Sequence, residues 1–197
     1  MNKHIKMIGL DLDGTLLTSA KEITPYTREV LTNAIRQGVE VLVSTGRPLA
    51  GIPKELMEFP GIRYAVTSNG ARVMDTKSGE VIYGNLLPRD IAQQVLSIFA
   101  DYDALYEVFI DGLGYTKASC MQHLEDYYST QAMVQYMKET RIPVESVRTV
   151  LRESDKDADK VHGVFHYEEE RQEAIKRLAK VPGLEVTEAL GNNLEVN

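Results

Sequence analysis

Cysteine is nearly absent: the 197 residues hold one, Cys120. No disulfide can close within the chain, so the sequence reads as that of a protein of a reducing compartment, the cytoplasm. The run "KASCMQHLEDYY" offers Cys120 a nearby His123 but no second orienting group, which makes it a structural residue rather than a nucleophile. Long apolar runs are missing as well. The N-terminal "MNKHIKMIGL" is too short for a signal peptide and is interrupted by Asp11, and nothing approaches membrane-spanning length. Excess positive charge is also lacking. At a net charge of -7, a sequence-independent grip on nucleic acid or anionic lipid is excluded as a partner class. There is no internal repeat and no low-complexity tract. With 43% hydrophobic and 26% charged residues, the chain is long enough for one good core, or for one core plus a smaller companion.

What is present is ordered. Ile5 to Leu10 is a short apolar run without helical period, the signature of a strand buried on both faces. Thr24-Pro25 reads as N-cap and first residue of a helix with Val30, Leu31, Ala34 and Ile35 as its stripe, stopped by Gly38. "VEVLV" follows as a strand, Pro48 opens a second helical stretch, and "YAVTS" is a third strand. Strand, helix, strand, helix, strand calls for a parallel sheet whose ligands bind beyond the carboxyl ends of the strands. Asn69-Gly70 is a turn signal, and "ARVMD" and "EVIYG" flank a second turn. From about residue 85 the texture changes to an α+β module. It reads as a helix after Pro88, a hairpin in "LYEVFIDGLGYT", short helical stretches carrying Met121, Leu124, Met133 and Met137, and a strand in "VRTVL". A charged solvated turn in "RESDKDADK", a strand in "VHGVF", a helix over Glu168 to Lys180 and a strand in "LEVTEA" complete it. The expected organisation is therefore 1–84 as an α/β unit, 85–190 as an α+β unit, and 191–197 as the start of a return to the first.

Two motifs carry chemistry. Asp11 and Asp13 stand one residue apart where the first strand ends, with Gly14 allowing a sharp turn. Such a pair can bind a divalent metal, supply a nucleophile with an acid/base beside it, or cap the backbone that follows. A calcium loop is ruled out: Glu22 is the twelfth position from Asp11, but Leu16 stands where glycine is required and Thr15 at the fifth position. In "VLVSTGRP" a second strand runs out into a hydroxyl and a backbone amide at a helix start, a natural anion site that Gly46 lets a ligand approach closely.

Together, Asp11-Leu12-Asp13-Gly14-Thr15-Leu16-Leu17, Ser44-Thr45-Gly46-Arg47-Pro48 and Ser68-Asn69-Gly70-Ala71 resemble the Cof-type branch of the haloacid dehalogenase superfamily. The likeness runs along the whole chain. It implies a Rossmann-like α/β core with an inserted α+β cap, and a magnesium-dependent phosphatase of small phosphate esters such as sugar phosphates. It makes Asp11 the nucleophile and Asp13 the general acid/base. The Asp11 carboxylate and the Asp13 main-chain carbonyl are implied Mg²⁺ ligands, and the Leu12 amide, the Thr45 hydroxyl and the Gly46 amide the phosphate holders. Asn69 and Arg47 fall near the core–cap junction in that scheme, and Tyr106, Asp111 and Tyr115 are candidates for walling the pocket.

Two of that family's motifs are not in the sequence: a lysine that neutralises the nucleophile and phosphate, and an acidic loop that completes the metal site. Lys176 and Lys180 read as solvated helix positions, and Asp155, Asp157 and Asp159 as members of the charged turn. A lysine about 4 Å from the nucleophile is worth roughly 4 kcal/mol at an effective dielectric near 20. Its loss implies a rate lower by at least ~10²-fold. The expectation is a truncated form with little activity, its first strand left as a sheet edge through which the chain self-associates. The alternative is an inactive fragment that binds a phosphometabolite or a partner.

Overall fold

The computed structural model describes residues 4–189 and 191–197. It divides into two compact units, Met1–Asn85 and Leu86–Asn197. In the first, the expected alternation is observed: β1 (Met7–Leu10), α1 (Pro25–Arg36), β2 (Glu40–Ser44), α2 (Lys54–Met57) and β3 (Ile62–Thr67), followed by β4 (Arg72–Asp75) and β5 (Val81–Gly84). The sheet order is β1-β2-β3-β4-β5; β1, β2 and β3 run parallel, and β4 and β5 are added antiparallel. Thr24 caps α1, its hydroxyl accepting from the Thr27 amide at 3.0 Å, with Pro25 at the first helical position. Val41, Val43, Ile62 and Ala65 bury one sheet face against Leu31, Leu56, Phe59 and the loop residues Leu12, Leu16 and Leu17. The first strand lies at the edge of the sheet, as expected, with β2 as its one neighbour among the described residues. It departs from expectation in its burial: Met7 is 58% exposed, so the strand is not buried on both faces.

The second unit contains α3 (Arg89–Phe99), β6 (Ala104–Ile110), β7 (Leu113–Lys117), α4 (Gln131–Thr140), β8 (Arg141–Val144), α5 (Val147–Ser154), β9 (Lys160–Phe165), α6 (Glu168–Leu178), β10 (Val186–Thr187) and β11 (Asn193–Val196). Its sheet runs β10-β11-β9-β6-β7-β8, antiparallel except for β7 with β8. One cluster joins α3, α5 and α6 residues to the sheet, and a smaller one packs Leu124, Tyr128, Val134 and Met137 with Leu105 and Val164.

Three expectations are corrected here. "VRTVL" is the start of α5, not a strand. The Ser146 hydroxyl accepts from the Thr149 amide as its cap, and Val147 and Leu151, four residues apart, are both buried. Period and cap overrode the β-branched composition. The charged turn is not solvated throughout: Asp159 is fully buried and accepts from the Gly112 amide, and buried Lys160 pairs with Glu195 at 3.0 Å. Residues 191–197 do not return to the first unit. Asn193–Val196 pairs antiparallel with β9 and with β10 inside the second sheet.

The middle of that sheet also buries a charge network. Glu107, fully buried, accepts from Arg141 Nε at 2.7 Å and from the Thr116 hydroxyl, and lies 2.9 Å from His162 Nδ1. The Arg141 guanidinium lies 4.9 Å from the Phe109 ring and 5.1 Å from the Tyr136 ring. A buried ion left without its partner is costly, and here Glu107 on β6 has partners on β7, β8 and β9.

Candidate active site

The loop that follows β1 is built by alternation. Leu12 is fully buried, and Leu16 and Leu17 are buried with it, while Asp11 and Asp13 face outward. The Leu16 amide donates to the Asp11 carbonyl at 3.2 Å and the Leu17 amide to the Leu12 carbonyl at 2.9 Å. Gly14 takes φ +76°, which a side chain would strain. The leucines thus fix the loop from beneath and leave both carboxylates at the carboxyl end of the sheet.

Beyond β2, the Thr45 amide donates to the Val66 carbonyl at 2.9 Å and the Thr45 hydroxyl accepts from the Arg47 amide at 3.1 Å. That contact spends a lone pair of the hydroxyl and leaves its proton to be donated. Beyond β3 the chain turns through Ser68, Asn69 and Gly70, all at positive φ, and the Asn69 amide returns to the Thr45 carbonyl at 3.3 Å. Asp11, Ser44, Thr45, Gly46, Asn69 and Gly70 line a concavity of about 290 Å³.

The two aspartates sit in different electrostatic surroundings. Among the described residues, no side chain or amide engages the Asp11 carboxylate. Asp13 is gripped: Arg47 donates through Nε to Oδ2 at 2.7 Å and through Nη2 to Oδ1 at 2.8 Å, and Lys21 Nζ reaches Oδ1 at 2.6 Å. Arg47 is itself anchored, its Nη1 donating to the Gly51 carbonyl at 2.9 Å. Partial burial acts to raise the Asp13 pKa, but the Arg47 and Lys21 contacts outweigh it and hold the carboxyl below its ordinary value.

Of the residues singled out in the sequence, Asp11, Thr45 and Gly46 come together at one concavity. Asp13 is not part of its lining, and the Leu12 side chain is in the core, so Leu12 has only its backbone to offer. Asn69 lines the same concavity. In the second unit, Tyr106 and Tyr115 pack against its main cluster and Asp111 pairs with Lys156. Lys21 went unread. It lies eight residues past Asp13 in a loop with no motif spacing, and only the fold brings it back.

For a divalent cation the donor set is all oxygen: the Asp11 carboxylate and the Asp13 carbonyl, since the Asp13 carboxylate is engaged. Mg²⁺ is commonly held by one or two carboxylates, with water and substrate phosphate completing the shell, so these residues fit it. Among the described residues there is no cluster of three or more His, Cys, Asp or Glu side chains able to hold a metal alone.

The chain is 26% identical to the Bacillus subtilis (strain 168) protein YxeH, over 96% of this chain and 82% of that one. It is 34% identical to phosphatase YwpJ of the same organism over 57% of this chain, which is 39% of the relative's length. A solved haloacid dehalogenase-like hydrolase from B. subtilis superposes with a TM-score of 0.81 at 26% identity, covering 98% of this chain and 73% of that one. Residues 8–197 match the family of haloacid dehalogenase-like hydrolases, and the chain belongs to it.

Proposed function

We propose that this chain is the nucleophile-bearing part of a phosphatase that hydrolyses small phosphate monoesters through an aspartyl-phosphate on Asp11. The observation that carries the reading is the contrast between the aspartates: Asp11 uncommitted at the concavity, Asp13 fixed beside it by two cations. Phosphatase YwpJ, a relative over 57% of this chain, lends its activity to the proposal. Sugar phosphates and similar metabolites are the proposed substrates, the cytoplasm is the proposed location, and no helix of the described residues is long and apolar enough to cross a membrane.

In this mechanism the phosphoryl group lies in the concavity, held by the Thr45 hydroxyl proton and the Gly46 and Leu12 amides. An Asp11 oxygen bonds to phosphorus as the ester P–O bond breaks, and Asp13 passes a proton to the departing alcohol oxygen. Water then attacks phosphorus, Asp13 takes its proton, and the Asp11–phosphorus bond breaks to free phosphate. Mg²⁺, when bound by Asp11 and the Asp13 carbonyl, offsets the repulsion between an anionic nucleophile and an anionic phosphate. Asp13 as gripped here is ionised, the form required of the base, and its acid role requires the ester to loosen that grip. Binding of a phosphometabolite without turnover is the second reading, and the same grip favours it, since an acid must carry a proton.

The test is hydrolysis of p-nitrophenyl phosphate by the 197-residue chain with and without Mg²⁺, beside Asp11→Asn. Magnesium-dependent turnover that falls at least ~10²-fold in the variant is expected. Turnover indifferent to Asp11 sinks the proposal, and phosphate binding without turnover selects the second reading.

A further inference from the structure

The loop Thr18–Glu22 is closed on itself. The Thr18 amide donates to the Glu22 carbonyl at 2.9 Å, the Lys21 amide to the Thr18 carbonyl at 2.9 Å, and the Glu22 amide to the Thr18 hydroxyl at 3.3 Å. Within it Lys21 adopts φ +65°, a left-handed conformation that a lysine takes against its preference. Non-glycine residues held this way persist where surrounding contacts over-determine them, and they gather at functional sites. The outcome is a side chain 31% exposed whose ammonium lies 2.6 Å from Asp13 Oδ1. A surface lysine is ordinarily free to sample many rotamers, and an exposed ion pair by itself contributes little to stability. The closed loop, the left-handed residue and the short pair instead converge on one oxygen.

The geometry is that of a three-donor frame. Arg47 binds both oxygens of Asp13 in its fork and fixes the carboxylate plane; Lys21 adds a second cationic donor to Oδ1. Lys21 and Arg47 are 26 residues apart in sequence, and each reaches Asp13 from a separately pinned segment: the closed loop on one side, the Gly51 carbonyl anchor on the other. We infer that Lys21 is a positioning residue of this site, holding the Asp13 carboxylate in place to take the proton of the attacking water. This inference rests on the phosphatase reading for its consequence in turnover, but not for the contact itself. Because Lys21 acts through Asp13 and not on the phosphoryl group, its loss is felt in kcat and not in KM.

The experiment has two arms. In the first, Lys21→Met and Lys21→Arg are assayed with p-nitrophenyl phosphate and Mg²⁺. Lys21→Met is expected to lower kcat about tenfold with KM within about twofold, and Lys21→Arg to regain most of the loss. An unchanged kcat in Lys21→Met, or a raised KM at constant kcat, overturns the inference. In the second arm, reductive methylation of individual lysines is followed by peptide mass spectrometry in the wild type and in Asp13→Asn, with 85% exposed Lys54 as the internal reference. Lys21 is expected to be modified several-fold more slowly than Lys54 in the wild type and to approach it in Asp13→Asn. Equal protection in the two proteins overturns the inference, and this arm decides even if the wild type hydrolyses nothing and the phosphatase reading fails.

Discussion

Asp11 and Asp13 are the same residue type two positions apart, yet the fold gives them opposite surroundings. One carboxylate meets no donor among the described residues, and the other meets three cationic N–H groups. Arg47 is the member that couples both halves of the site, because its side chain reaches Asp13 while its amide occupies the Thr45 hydroxyl. Replacing it with methionine strips the fork from Asp13 and leaves the Gly51 carbonyl without that donor. Arg47→Met is expected to destabilise the chain by about 1–3 kcal/mol in urea unfolding, the cost of unsatisfied polar partners, and to lower turnover about tenfold or more. A variant with wild-type stability would show that the fork contributes nothing net. The meeting of Asp11, Thr45 and Gly46 at one concavity was legible because strand ends and glycines announce themselves in sequence. Lys21 was not, since its place depends on a left-handed turn inside a loop that carries no periodicity.

At the scale of elements, the central strands of the second unit are joined by charge as well as by apolar packing. Glu107 on β6 is held at a pKa of about 2: burial acts to raise it, and Arg141 and then His162 bring it down further than burial lifts it. A carboxyl depressed in the folded state contributes stability that is fully present above its ordinary value of 4.5 and is lost as pH falls from there through about 2. The contribution is of order 3 kcal/mol. Denaturant unfolding monitored between pH 7 and pH 2.5 should show this loss, and Glu107→Gln should flatten it while lowering stability near pH 7 by about 3 kcal/mol, because Arg141 keeps its charge in the interior. A wild-type profile no steeper than that of the variant would contradict the assignment. Such networks are hard to read from sequence. Glu107 stands in "LYEVFI" as any solvent-facing glutamate would, and its partners lie 34 and 55 residues away. The helix α5 was misread for a related reason: valine and threonine in "VRTVL" favour a strand locally, and only the Ser146 cap and the buried Val147–Leu151 face show otherwise. The short β8, absent from the sequence reading, contains Pro143 and sits at the edge of the sheet, where proline is tolerated.

Both sheets of the molecule have open edges, and β1 is one of them. Among the described residues β1 has a neighbour on one side only; Ile5, just before it, and Met7, its first residue, are 66% and 58% exposed. Unpaired strand edges with apolar side chains template pairing between chains. Self-association through β1 is the expected consequence, read as a light-scattering mass that rises with concentration and stays monomeric in Met7→Lys. A strict monomer at all concentrations would contradict it. The chain covers 73% of the length of the B. subtilis hydrolase structure and 39% of phosphatase YwpJ, so turnover by these residues is the point on which everything else depends. The most direct measurement is acid quenching during p-nitrophenyl phosphate turnover, followed by mass spectrometry of the peptide that contains Asp11. One added phosphoryl group on Asp11, absent from Asp11→Asn, is the result expected; hydrolysis proceeding with Asp11 unmodified, or with the phosphoryl group on another residue, would contradict it.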